Sequence, residues 1–152
     1  MAYGCVFCGA LKQNKEHVYP RWLRKVMGNY SGALTIVATD RGTKTRRSEA
    51  PFDVTVKAVC PTCNNGWMRD LEEEARPLLT PMIRGDRLAL DLARQRVVAR
   101  WFAKTAMMMH EQAKATERLI PPVHFKSVYK AHQPAPGTSV WLAPRLSRWM
   151  VP

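Results

Sequence analysis

The stretch Val59-Cys60-Pro61-Thr62-Cys63-Asn64-Asn65-Gly66-Trp67-Met68 decides how the rest of the chain is read. It sets two thiols one knuckle apart, follows them with two side-chain amides, and then gives a glycine and an aromatic from which a helical period runs on. A second C-x-x-C lies upstream at Cys5 and Cys8, and between the pairs stands Glu16-His17-Val18-Tyr19-Pro20. All four cysteines of the chain belong to these pairs. With no export signal ahead of them the thiols are expected to stay reduced. The spacing therefore predicts one tetrahedral Zn²⁺ on Cys5, Cys8, Cys60 and Cys63 rather than two disulfides. A thioredoxin-like role for either pair lacks its strand-then-helix context. The long segment between Cys8 and Cys60 is then an insertion pinned at its base by metal, and it carries Glu16 and His17.

At 152 residues the chain suffices for one compact domain with an appendage. Its apolar share of 46% is ordinary for a globular protein, and no apolar run approaches the ~18 residues that a membrane span requires. Met1 to Cys5 has neither a charged nor an apolar leader region, so a cytoplasmic location is expected. The formal charge is +12, unevenly spread. Residues 1–60 hold ten bases and four acids, residues 61–119 ten and eight, and residues 120–152 four bases and no acid. Such a field favours polyanions, nucleic acid first, because neutralised phosphates release condensed counterions. A solubilising surplus is the plainer alternative.

Along the chain, Cys5 to Gly9 reads as the first knuckle and Glu16 to Pro20 as a short extended stretch, since a residue before proline avoids the helical region. Arg21 to Met27 predicts a short helix entered through Pro20, burying Trp22, Leu23 and Val26 and closed by Gly28-Asn29. Ala33 to Thr39 and Phe52 to Val59 read as strands of one hairpin over about 33–59, with Asp40-Arg41-Gly42 a turn and Thr43 to Arg47 a basic loop or strand edge. Val54, Val56 and Ala58 fall on one face of the second strand, Asp53, Thr55 and Lys57 on the other. From Gly66 the period is helical, limited by Pro77 and Pro81. A longer helix starts near Asp86 or Asp91 and runs to about Arg118, with Val97, Val98, Trp101, Met108 and Met109 as its apolar stripe. The Met107-Met108-Met109 run suits adaptable core or a partner surface. His110, His124 and His132 have no ligand-spaced companions. Beyond Ile120 the chain is proline-punctuated, with a strand expected at Ser139 to Ala143.

Hydrolysis of a phosphodiester needs an activated water, a cation against the charge that builds on the phosphate, and a hold on the backbone. His17 is the only histidine near the cysteine framework, and an imidazole is the side chain best suited to a general base. Glu16 and the Asn64 side-chain carbonyl are hard oxygens suited to Mg²⁺ or Mn²⁺. Lys15, Arg21, Arg24 and Arg69 are bases near them, and Arg46 and Arg47 lie in the same basic half. Asn65 caps the helix, fixes the loop or touches metal. Trp22 and Trp67 are core residues around the metal in preference to base-stacking platforms.

Taken in order, C-V-F-C, E-H-V-Y-P and C-P-T-C-N-N-G-W resemble the HNH nucleases with a ββα-metal core, of the subtype in which two C-x-x-C knuckles bind a structural zinc. The likeness covers roughly Cys5 to Glu74. It implies that His17 is the general base, that Glu16 beside it binds a catalytic divalent cation, and that Asn64, after Cys63, is the opposing ligand. Two departures stand out. Asn64 replaces the usual histidine, and Thr55 stands where a central asparagine is usual, with Asp53 nearby. The resemblance implies an α+β fold with a zinc-stapled domain at 1–84; the helical period and the composition add a long helix at 85–119 and a basic, proline-rich segment at 120–152. The helical extension packs on the core or forms a partner surface, with a homodimer through 86–118 as one form of it. DNA is the expected partner and a membrane is not. Three readings remain, in this order: an endonuclease, a zinc-containing DNA-binding protein without catalysis, and an RNA-binding or protein-interaction zinc module.

Overall fold

The structure, a computed structural model, describes residues 4–11, 13–28, 34–40, 43–49, 51–113 and 118–143, and for 34–49 the backbone alone. Asn29, the 41–42 turn, the side chains of Arg46 and Arg47 and the 144–152 tail lie outside the described residues.

The chain is mixed α/β. Strand β1 (Asn14–His17) pairs antiparallel with β4 (Thr55–Val59), and β2 (Leu34–Asp40) pairs antiparallel with β3 (Thr43–Glu49). The expected hairpin over 33–59 is therefore corrected. A two-residue connection closes β2 onto β3, the segment read as a basic loop or edge, with Asp40 opposite Thr43. That leaves β4 free for β1, and the register sets Glu16 opposite Val56 and His17 opposite Thr55. The ladder continues past β1, where Val18 N–H donates to the Val54 carbonyl at 3.0 Å. Alternation in β4 is as read: Val54, Val56 and Ala58 are buried while Asp53, Thr55 and Lys57 are exposed. The strand starts only at Thr55, because Pro51–Asp53 is a 3₁₀ turn.

Helix α1 (Arg21–Met27) buries Leu23, half-buries Trp22 and Val26, and ends at Gly28 with φ 70°. The next helix begins earlier than the sequence period suggested, since Cys60 caps α2 (Pro61–Cys63) and the second knuckle is itself the first helical turn. A π turn over Asn64–Met68, kinked at Gly66, leads into α3 (Arg69–Ile83). Helix α3 runs through Pro77 and Pro81, which were expected to limit it. Pro77 lies on the solvent side, so the carbonyl it leaves unpaired reaches water, while Leu71, Ala75 and Leu79 stay buried.

Helix α4 (Leu92–His110) is capped by Asp91, whose carboxylate accepts from Arg94 N–H at 2.8 Å. It stops well short of Arg118, whose guanidinium instead donates to the Glu111 and Ala113 carbonyls past its end. The apolar stripe also needs correction. Met109 is 44% exposed, whereas Arg100, Lys104 and Thr105 are buried beside Val98, Trp101, Met107 and Met108. The Arg100 guanidinium lies over the Trp67 ring, 5.0 Å from its centroid. Past Ile120 an unforeseen helix, α5 (Pro122–Lys130), starts with proline in its first turn, and 139–143 is irregular rather than a strand.

One cluster of buried side chains joins Cys5, Cys60 and Cys63 to Phe7, Val18, β4, Met68, Met108, Phe125 and Val128, while Cys8 is exposed. A second joins Leu23 and Phe52 to Leu71, Ala75, Leu79, Val98 and Trp101. Helix α4 contributes to both. No helix of the described residues is long and apolar enough to cross a membrane.

Candidate metal centre and adjoining cleft

The first knuckle closes on itself, with Gly9 N–H donating to the Cys5 carbonyl at 2.8 Å and Cys5 N–H to the Ala10 carbonyl at 2.7 Å. Gly9 turns with φ 82°, and a side chain at Gly4 would meet the Gly9 carbonyl at 2.5 Å. Val6 N–H donates to the Ala58 carbonyl at 2.9 Å, which ties this knuckle to the strand that delivers Cys60.

The sulfurs of Cys5, Cys8, Cys60 and Cys63 all lie within 4.8 Å of one another and none is in a disulfide. Cys8 and Cys60 sulfurs stand 3.5 Å apart, near the ~3.8 Å edge of a tetrahedron with metal–sulfur bonds of ~2.3 Å. This group can hold a metal ion. Its surroundings act unequally, lowering the Cys5 thiol and raising those of Cys8 and Cys63. Burial pushes the Cys5 thiol up, but hydrogen bonds from the backbone at Cys8, Cys60 and Phe7 outweigh it and hold the group at about 7. Burial also pushes Cys63 up, and there the Trp67 indole N–H opposes it. That indole nitrogen is buried and has no hydrogen-bond partner among the described residues. A donor so placed fits a metal-bound thiolate, whose sulfur is a better acceptor than a neutral thiol.

Because the cysteines join β4 to the first knuckle and β1 pairs with β4, Glu16 and Asn64 come together across a long sequence separation. They line one cleft of about 290 Å³ with His17, Asn65, Arg21 and Arg69. Glu16 is half-buried, and burial raises its pKa; Lys104, the Asn64 amide and Arg21 oppose the rise while Glu72 adds to it. A cation bound at Glu16 would supply the charge that burial leaves wanting.

Not every expected base joins the cleft. Lys15 is exposed on β1 outside it. Arg24 turns to Asp53 in an exposed ion pair, and Arg69 pairs with Asp70 at 3.0 Å while still lining the rim. Two members that the sequence reading missed are Glu72 and Lys104. Lys104 is 2% exposed, in direct contact with Glu72 Oε1, and the other Glu72 oxygen accepts from Trp22 Nε1 at 2.8 Å. One signal was present in the sequence. Lys104 stands three positions after Trp101 and four before Met108, on the apolar stripe itself.

Comparison with family models, with curated proteins and with solved structures returns no match for this chain.

Proposed function

We propose that the chain is a metal-dependent HNH-type endonuclease that hydrolyses DNA phosphodiesters, with Zn²⁺ on the four cysteines as a structural ion. The observation that carries this reading is the meeting of Glu16, His17 and Asn64 in one cleft beside the cysteine group. Glu16 and the Asn64 carbonyl would hold Mg²⁺ or Mn²⁺, which when bound would supply Lewis-acid polarisation and neutralise charge on the phosphate. His17 takes one proton from the attacking water as the water oxygen forms its bond to phosphorus. The bond from phosphorus to the leaving oxygen breaks, and the departing alkoxide collects a proton from solvent. Arg21 and Arg69 at the rim hold flanking phosphates.

A specific observation favours a second reading, a zinc-containing DNA-binding protein without catalysis. Thr55 lies opposite His17 in the register, where the resemblance expects an asparagine to hold the imidazole, and among the described residues no side chain hydrogen-bonds that imidazole. Incubating supercoiled plasmid with the zinc-loaded protein in Mg²⁺, Mn²⁺ and EDTA decides between them. The nuclease nicks in either metal and not in EDTA, and His17→Ala loses about 10²-fold or more in rate with its zinc retained. Plasmid that is bound but uncut in every metal establishes the binding protein.

A further inference from the structure

Arg100 of α4 carries a charge that nothing around it yet explains. It is 9% exposed, and its Nε and Nη2 are buried without a hydrogen-bond partner among the described residues. Burial pulls the guanidinium down from its ordinary value, and the Glu74 carboxylate opposes that only in part. A buried charge left in this way is costly unless an anion answers it. Its close neighbour is Trp67, whose ring centroid lies 5.0 Å from the guanidinium carbon. Phe7 meets the same ring edge-on at 4.9 Å and Tyr129 lies 6.0 Å from it, so the indole is held from several sides.

Trp67 lacks a partner of its own. Its Nε1 is buried and unpaired, and the ring, four positions after Cys63, packs against the cluster of Cys5, Cys60 and Cys63. The two unmet donors thus adjoin each other, and the second adjoins the cysteine group. A divalent ion on four thiolates leaves that group doubly negative, a charge that would answer both. A cation over an indole face draws electron density from the ring and makes its N–H a stronger donor. We propose that Arg100 is a positioning residue of the metal centre: through the Trp67 ring it supplies positive charge to the buried tetrathiolate and strengthens the hydrogen bond that the indole N–H donates to the Cys63 sulfur. The inference rests on reading the four cysteines as a metal site and does not depend on the nuclease. It also ties the metal to α4, the helix that brings Lys104 to the wall of the cleft.

The test uses the full chain loaded with Zn²⁺, its affinity read by competition with a chelator, and with Co²⁺, whose sulfur-to-metal charge-transfer band reports how electron-rich the thiolates are. R100M and W67F are each expected to bind Zn²⁺ about 10-fold more weakly, the scale of losing a partner behind a metal ligand. Both should move the Co²⁺ band to longer wavelength, which a merely structural role would not do. Because Arg100 acts through Trp67, R100M/W67F should lose no more affinity than W67F alone. R100K keeps a cation beside the ring and should recover most of the loss. Wild-type affinity or an unmoved band in R100M, losses that multiply in the double variant, or an R100K no better than R100M would each overturn the proposal. Where R100M does not fold with metal, R100K decides: a folded, metal-loaded lysine variant with a band near that of wild type supports the role of the charge, and one that fails as R100M does overturns it. A wild type that takes up neither ion removes the metal centre and the role of Arg100 with it, whereas one that binds Zn²⁺ and cuts no DNA rejects the nuclease alone.

Discussion

Cys60 does two things at once: its sulfur faces the three other sulfurs, and it accepts Cys63 N–H at 3.4 Å as the cap of α2. Serine is a good cap but a poor soft ligand, so Cys60→Ser separates the two roles. The variant is expected to lose its metal and its cooperative thermal transition together, checked by elemental analysis and calorimetry, because binding energy at such a site is folding energy. If Cys60→Ser melts like wild type, the cysteines are not what holds the core. At the same scale Lys104 and Glu72 test the buried pair. Lys104→Met alone should cost about 3–5 kcal/mol in a urea titration, and E72Q/K104M far less, since the expense lies in an uncompensated buried charge.

At the scale of elements, the legible parts were those set by local rules. Two C-x-x-C pairs, the alternation of β4 and the Pro20 entry and Gly28 exit of α1 need only nearest-neighbour chemistry. Strand pairing was misread because β2 and β4 are both plausible partners by composition, and only the short 41–42 connection, together with the pairing of β1 with β4, resolves it. The prolines of α3 misled for a related reason. Their propensity cost is local, but Leu71, Ala75 and Leu79 are fixed by tertiary contacts with α1 and α4, which outweigh it. Leu79→Ala should accordingly destabilise by about 2–5 kcal/mol in denaturant. The start of α4 had two candidate caps, and the structure chooses Asp91. Asp91→Ala should cost about 1 kcal/mol, and Asp86→Ala, exposed and outside the helix, about 0.5 kcal/mol or less. Equal losses at the two positions would contradict that choice.

At the scale of the whole molecule, the cysteine group and helix α4 together turn distant pieces of sequence into one cleft. His17, Glu16 and Asn64 were legible as candidates because they flank the knuckles, whereas Glu72 and Lys104 were not, because their relation exists only once α3 and α4 pack. The charge surplus carries its own prediction: DNA affinity should fall steeply between ~50 and ~200 mM salt if about six or more phosphates are neutralised, read from binding isotherms at several salt concentrations. An affinity flat across that range would reject a phosphate-directed role for the +12 excess. The central claim is that the cleft works through a divalent ion held at Asn64 and Glu16. It is tested most directly by the Mn²⁺ dependence of plasmid cleavage for wild type and Asn64→Ala at matched zinc content. The account predicts a half-saturating Mn²⁺ concentration raised about 10-fold or more in the variant, on the scale of losing a metal-site interaction. Identical Mn²⁺ curves for the two proteins would contradict it.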